Sequence, residues 1–131
     1  MMAARATWSG NLPGRSEVIA IKTVDLKSDR PSVHEALQRL NRELDLARRE
    51  GVWLLKIIHG YGSTGVGGDI RIAVQKRLQE LAAAGQIRCC IFGERWSKSD
   101  EQTWRLLKAN PELKADSHLG RSNRGITVVQ L

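Results

Sequence analysis

The alternation of apolar and polar residues predicts a strand, a helix and a second strand in the first half of the chain. Residues 17–26 carry β-branched side chains in a roughly alternating pattern, which predicts the first strand. The pair Ser32 and Glu35 forms a capping box, apolar residues then follow at spacings of three and four, and Gly51 ends the predicted helix. Residues 52–58 are almost continuously apolar, which is typical of a central strand buried on both faces.

The same pattern continues through the second half of the chain. The further predicted elements are a helix at residues 69–84, a strand at 87–92, a short helix from a capping pattern at Ser99 to about Ala109, a polar loop at 112–124 and a strand at 125–131. Strands that alternate with helices in this way predict an α/β fold, with the helices packed on one sheet.

The length of 131 residues is the usual size of a single domain. Residues 1–16 show no period and contain the turn-forming residues Pro13 and Gly14, so they predict a flexible N-terminal arm. Residues 17–131 predict one folded domain.

A glycine-rich segment joins the second strand to the second helix. Five glycines occur in nine positions from Gly60 to Gly68, and residues without side chains let backbone amides converge on an anion. The helix that follows adds the positive end of its dipole. The predicted phosphate-binding residues are Gly60, Tyr61, Gly62, Ser63, Thr64, Gly65, Gly67 and Gly68. The alternative is a tight turn that needs conformational freedom, for which one or two glycines would suffice.

Two known phosphate loops fit this segment poorly. Residues 60–65 match the dinucleotide pattern G-x-G-x-x-G, but Glu94, the acid after the next strand, is somewhat too distant in sequence. The P-loop requires lysine and serine or threonine where Val66 and Gly67 stand, so that interpretation fails.

Three residues at the ends of the first two strands are the candidate catalytic group. His59 ends the second strand, where ligands of such sheets gather, and can contact phosphate or transfer protons. Asp25 ends the first strand and could orient His59 or Lys27 if the two strands pair. The alternatives are a buried structural histidine and an ordinary aspartate entering a turn.

The formal net charge of +7 favours an anionic partner, with nucleic acid first. Arg71, Arg121 and Arg124 are candidate contacts to a sugar-phosphate backbone, although a solvated surface is the usual explanation of such charges. Among the tryptophans Trp96 is the best candidate for stacking on bases, but core packing is its favoured role.

Other features restrict the class of protein. The two cysteines, Cys89 and Cys90, are adjacent in a strand and point to opposite faces, which fits neither a disulfide framework nor a zinc site. No apolar stretch is long enough to span a membrane. These observations predict a cytoplasmic chain with no membrane partner, and the lack of obvious metal-ligand spacing predicts neither a tightly held metal nor a cofactor.

Three segments together resemble the Smr (small MutS-related) domain. They are Val24-Asp25-Leu26, the run from Leu55 to Gly62 with its His-Gly-x-Gly element, and the closing strand from Gly125 to Leu131. The resemblance covers residues 20–131. It implies a two-layer α/β sandwich with a four-stranded mixed sheet, two main helices and a short third helix, similar to the C-terminal domain of bacterial translation initiation factor three. It also implies a nucleic-acid-binding domain, and several members nick DNA or cleave RNA.

One departure from the family pattern bears on activity. The first family motif is typically Leu-Asp-Leu-His-Gly, and Lys27 and Ser28 replace its histidine and glycine. Lysine titrates near 10.4 and is a poor base at neutral pH, yet it can hold a phosphate. The sequence therefore favours a monomeric nucleic-acid-binding domain with weak or no cleavage activity. An active endonuclease is the first alternative, and a protein-interaction or nucleotide-binding module is the second.

Overall fold

A mixed four-stranded sheet forms the centre of the molecule. The computed structural model describes residues 21–60 and 66–131. Its elements in chain order are β1 (Ile21–Asp25), α1 (Val33–Glu50), β2 (Leu54–Ile58), α2 (Val66–Ala83), β3 (Cys89–Phe92), a 3-10 turn (Gly93–Arg95), α3 (Glu101–Ala109), a 3-10 helix (Pro111–Ala115) and β4 (Ile126–Gln130). The predicted α/β class, mixed sheet, two main helices and short third helix are confirmed.

The strand order is β1-β2-β4-β3, with β2 and β4 in the centre. β1 runs parallel to β2, and β4 runs antiparallel to both β2 and β3. The C-terminal ends of β1, β2 and β3 therefore meet the start of β4 at one edge of the sheet. This edge is where an α/β sheet usually places its ligand.

Helix α1 begins and ends as the sequence predicts. Ser32 Oγ accepts a hydrogen bond from the Glu35 amide at 3.1 Å, and Glu35 Oε1 accepts one from the Ser32 amide at 2.8 Å. Gly51 ends the helix in the left-handed conformation, with φ of 74°. Other predicted limits were less accurate: α2 begins at Val66 rather than at residue 69, and Asp100 rather than Ser99 caps α3.

Helices α1 and α2 pack on one face of the sheet. Leu55 and Ile57 of β2 and Val129 of β4 contact the apolar stripes of the two helices. The buried helix residues of this layer are Ala36, Leu40, Leu44 and Ala47 from α1, and Ile70, Val74 and Leu78 from α2. The sheet and these two helices form the α/β sandwich that the sequence resemblance implies.

The segment between β3 and β4 covers the opposite face of the sheet. Trp96, Leu106, Leu107 and Leu113 bury this face together with alternate residues of the strands. The prediction of a polar loop over residues 112–124 is wrong at its start, because Pro111–Ala115 forms a 3-10 helix whose Leu113 is buried. A single apolar residue among polar ones gives no period from which such an element could be predicted.

Both cysteines are free and lie in β3, as predicted. Cys90 packs against the α1/α2 face and Cys89 against the opposite face. Across residues 21–60 and 66–131, no helix has the length and apolar character needed to cross a membrane. The predicted arm at residues 1–16 lies outside the described residues.

Gly93 marks the closest approach between the β3 end and the segment before β4. A Cβ placed on Gly93 would lie 1.8 Å from the Asn123 carbonyl oxygen and 2.8 Å from the Ile126 carbonyl oxygen. Real Cβ atoms do not approach backbone oxygens so closely. A side chain at this position is therefore excluded by lack of space.

Candidate functional site

The glycine-rich segment begins at the sheet edge where three strands end. Gly60 follows β2 with φ of 75°, a conformation that glycine adopts without strain. The Gly125 carbonyl, just before β4, accepts hydrogen bonds from the amides of His59 at 2.9 Å and Gly60 at 3.1 Å. These bonds attach the start of the predicted phosphate loop to the central strand β4.

A turn after β1 places Lys27 beside Gly60. The Asp25 carboxylate accepts hydrogen bonds from the amides of Lys27 at 2.8 Å and Ser28 at 3.1 Å. Burial alone would raise the pKa of Asp25, but these hydrogen bonds outweigh it and lower the pKa. A Cβ on Gly60 would lie 3.5 Å from Cδ of Lys27, so the lysine side chain runs along the glycine. The structure thus brings Lys27 to Gly60, the first residue of the predicted phosphate loop.

His59 is fully buried and has a partner for each ring nitrogen. Nδ1 lies 2.6 Å from the Gly60 carbonyl oxygen, and Nε2 lies 2.8 Å from Thr127 Oγ1. A carbonyl oxygen can only accept, so Nδ1 carries the proton and Nε2 accepts from the threonine hydroxyl. Gln75 Nε2 in turn donates to Thr127 Oγ1 at 3.4 Å. The result is a buried chain of hydrogen bonds from α2 through β4 to Gly60.

Of the two predicted partners of Asp25, the structure shows Lys27 and not His59. Asp25 and His59 end neighbouring parallel strands, but Asp25 bonds the amides of its own turn, while His59 bonds Gly60 and β4. The sequence-based alternative, a structural histidine whose hydrogen bonds are satisfied, describes the side chain that the structure shows.

Acid should destabilise the fold through His59. Burial lowers the pKa of His59 below 6.5, and the nearby Arg71 adds to the shift, although the Gly60 hydrogen bond opposes it. The unfolded chain therefore binds a proton at a pH where the folded chain does not. We expect the free energy of unfolding to fall as the pH drops below about 6.5, by at most about 1.4 kcal/mol per pH unit for this one group. Urea unfolding at several pH values measures this change in the free energy of unfolding.

The variant His59→Gln provides the control for this pH dependence. It removes the titrating group and keeps a polar side chain, so its stability should vary less over the same pH range. Asp25 and Asp116, whose pKa values are lowered from 3.8, act only at more acidic pH. An unchanged slope in the variant would contradict the assignment to His59.

Arg71 of α2 lies at the same edge, where it pairs with Glu94. Arg71 Nη2 lies 3.1 Å from Glu94 Oε2, and both charges are close enough to His59 to influence its pKa. Arg71 Nε and Glu94 Oε1 are buried without a hydrogen-bond partner. The sequence predicts Arg71 but not the role of Glu94 as its partner. The position of Glu94, two residues after the C-terminal end of β3, could have identified it as a site residue.

Arg121 and Arg124 lie together in the loop that leads into β4. They line an open groove of about 640 Å³ with Ser117, His118, Ser122 and Asn123. Asn123 Oδ1 accepts a hydrogen bond from the Gly125 amide at 2.8 Å. Since the Gly125 carbonyl accepts a hydrogen bond from the Gly60 amide, the groove adjoins the glycine turn at Gly60.

The remaining predicted site residues have different outcomes. Tyr61, Gly62, Ser63, Thr64 and Gly65 lie outside the described residues. Gly67 and Gly68 belong to the first turn of α2 rather than to a loop. Trp96 is 1% exposed, which confirms its favoured role in core packing. Within the described parts of the chain, no three His, Cys, Asp or Glu residues are placed to hold a metal ion.

The described elements define an α/β domain with a parallel β1-α1-β2 unit, a glycine turn after β2 and an antiparallel strand beside it. This is the Smr-like fold. The chain is similar to the crystal structure of the Smr domain of Thermus thermophilus MutS2, with a TM-score of 0.52 and 24% sequence identity. The similarity covers 84% of this chain and 96% of that one. No family model and no curated protein matches the sequence.

Proposed function

We propose that the chain binds the sugar-phosphate backbone of nucleic acid at the edge formed by Gly60, Lys27 and the first turn of α2, without cleaving it. The observation that carries this proposal is the lysine side chain running along Gly60. A lysine side chain beside a glycine turn is suited to an anion that passes close to the backbone.

Charge extends the proposed surface beyond the glycine turn. Arg121 and Arg124 line the adjoining groove, and the net charge of the chain is +7. A single phosphate needs few cations around it. A polynucleotide presents a row of phosphates and therefore needs several. Several positive charges near one end of the sheet therefore favour a polymer over a small anion.

The environment of His59 supports binding rather than cleavage. A general acid or base must reach the substrate, and both ring nitrogens of His59 are bonded inside the protein. Asp25 is bonded to two backbone amides, and Lys27 stands where the family motif has histidine. We propose that Asp25 and His59 shape the site, while Lys27 contacts phosphate. The predictions of a monomeric, cytoplasmic chain without cofactor remain predictions.

Removing Lys27 or Arg124 should weaken binding and its salt dependence together. We expect Lys27→Ala and Arg124→Ala each to weaken binding of a fluorescent single-stranded oligonucleotide about fivefold to tenfold. Each lost phosphate contact should reduce the slope of log affinity against log salt by about 0.7 to 0.9. Fluorescence anisotropy over a series of salt concentrations measures both quantities, with RNA and DNA of the same sequence.

Arg88→Ala is the matched control. Arg88 is exposed at the opposite edge of the sheet, where its amide donates to the Gln130 carbonyl. Its loss removes one positive charge from the chain without touching the proposed surface. Equal effects of Arg88→Ala and Lys27→Ala, or salt-independent binding by the wild type, would contradict the proposal.

A cleavage assay separates this proposal from the endonuclease alternative. Labelled RNA and DNA, single-stranded and duplex, should remain intact after incubation with the purified chain. Cleavage by the wild type that disappears in both Lys27→Ala and Asp25→Ala would identify an active nuclease and overturn the non-cleaving role.

A further inference from the structure

A buried lysine lies in the middle of the central strand β2. Lys56 is 8% exposed and faces the side of the sheet that the segment between β3 and β4 covers. Its ammonium forms an ion pair with Asp116 and lies 2.9 Å from His118 Nδ1. Burying such a pair carries a desolvation cost that well-packed apolar side chains would avoid. The arrangement therefore calls for a role beyond stability.

The lysine determines which nitrogen of His118 carries the proton. An ammonium group can only donate hydrogen bonds, so His118 Nδ1 accepts and the neutral ring carries its proton on Nε2. The Asp116 carboxylate also fixes the position of His118. Its Oδ2 accepts hydrogen bonds from the His118 amide at 3.1 Å and from Trp96 Nε1 at 3.0 Å. His118 is thus a donor of fixed tautomer and fixed position.

His118 lies in the groove that adjoins the phosphate loop. The other residues lining this groove are Ser117, Arg121, Ser122, Asn123 and Arg124, which include two guanidinium groups and no carboxylate. The amides of Gly120 and Arg121 already donate to the Trp96 and His118 carbonyls, so the donors that face this groove are side chains. The groove therefore offers donors where an anion would lie.

We propose that this groove is a second phosphate site, in which His118 donates Nε2–H to a phosphate oxygen and Lys56 is the positioning residue that fixes its tautomer. The inference rests on the proposed function and extends it, because a ligand that fills both sites needs more than one phosphate. The groove and the glycine turn are joined through Gly125, whose carbonyl bonds Gly60. The ligand class is therefore an oligonucleotide rather than a mononucleotide.

Variants of His118 test the proposed contact. We expect His118→Ala to weaken binding of a single-stranded oligonucleotide of about 12 nucleotides roughly tenfold. His118→Gln, which keeps an N–H donor of similar reach, should retain most of the affinity. A neutral donor releases no counterion, so the salt slope should stay unchanged in His118→Ala, whereas Arg124→Ala should reduce it. AMP, with one phosphate, can fill only one site at a time and should bind the wild type much more weakly than the oligonucleotide.

His34→Ala is the control for this experiment, because His34 is an exposed histidine on α1. Binding by His118→Ala equal to that of the wild type, while Lys27→Ala weakens it, would overturn the second site and leave the proposed function standing. Failure of the wild type to bind any oligonucleotide would overturn both. A reduced salt slope in His118→Ala would also contradict a neutral donor.

A double variant tests the positioning role of Lys56. Lys56→Met with Asp116→Asn removes the ion pair without leaving one charge unpaired, and asparagine still accepts from Trp96. Nitrogen NMR at mildly alkaline pH should show His118 with the proton on Nε2 in the wild type and a mixture of tautomers in the variant. Affinity should fall along with this change. Retention of the Nε2–H tautomer, or of full affinity, in the folded variant would refute the role.

Discussion

Gly93→Ala is expected to lower the free energy of unfolding by about 3 kcal/mol or more. The new Cβ would lie 1.8 Å from the Asn123 carbonyl oxygen and 2.7 Å from Cγ1 of Ile126. The first of these atoms belongs to the backbone and cannot rotate away. The chain must therefore separate the β3 end from the start of β4, where the site is assembled. Urea denaturation followed by circular dichroism measures the loss.

Gly85→Ala is the matched control for Gly93→Ala. Gly85 has φ of 74°, and no atom lies within 4 Å of the position that a Cβ would occupy, so its replacement strains the backbone without a clash. We expect a loss of about 1 kcal/mol from this strain. If Gly93→Ala costs no more than Gly85→Ala, the close approach at Gly93 does not limit the fold.

His59→Ala is expected to have a comparable effect, with a loss of about 3 to 4 kcal/mol. The substitution leaves a cavity in a site that is fully buried, and Thr127 Oγ1 and the Gly60 carbonyl lose their partner. The start of the phosphate loop should loosen as well, because His59 is what connects it to Thr127. Thermal and urea unfolding measure the stability, and His34→Ala, on the exposed face of α1, should change it little.

A double-mutant cycle isolates the hydrogen bond within this effect. Thr127→Val keeps the shape of the side chain and removes the hydroxyl that donates to His59 Nε2. If the buried chain of hydrogen bonds exists, the two substitutions together should cost less than the sum of their separate costs, by about 1 kcal/mol. Strict additivity would show that the two residues do not interact.

Local patterns predicted most of the fold because they depend on neighbours in sequence. The capping box at Ser32 and the glycine that ends α1 use contacts only three or four residues apart. The continuous apolar run of β2 predicted a central strand because only a strand covered on both faces tolerates it. Parallel pairing of β1 with β2 then brings Lys27 to Gly60.

The features that the sequence did not predict depend on residues far apart in the chain. Lys56 stands in an apolar run, and its partners Asp116 and His118 lie 60 and 62 residues later, so no local pattern connects them. The need for glycine at position 93 arises from the Asn123 backbone, which is also remote in sequence. The partner of His59 was not predicted for the same reason, because Thr127 lies 68 residues after it.

The position of β4 between β2 and β3 has a consequence for biosynthesis. As the chain emerges from the ribosome in order, β1, α1, β2, α2 and β3 are all available before β4. Until β4 arrives, β2 has no partner on one side, β3 has no pair within the sheet, and His59 lacks Thr127. Nascent chains that end before β4 should expose unpaired strand edges, which are prone to association with other chains. The end of the sheet that carries His59 and Gly60 is therefore completed late, when β4 pairs with two strands that were synthesised before it.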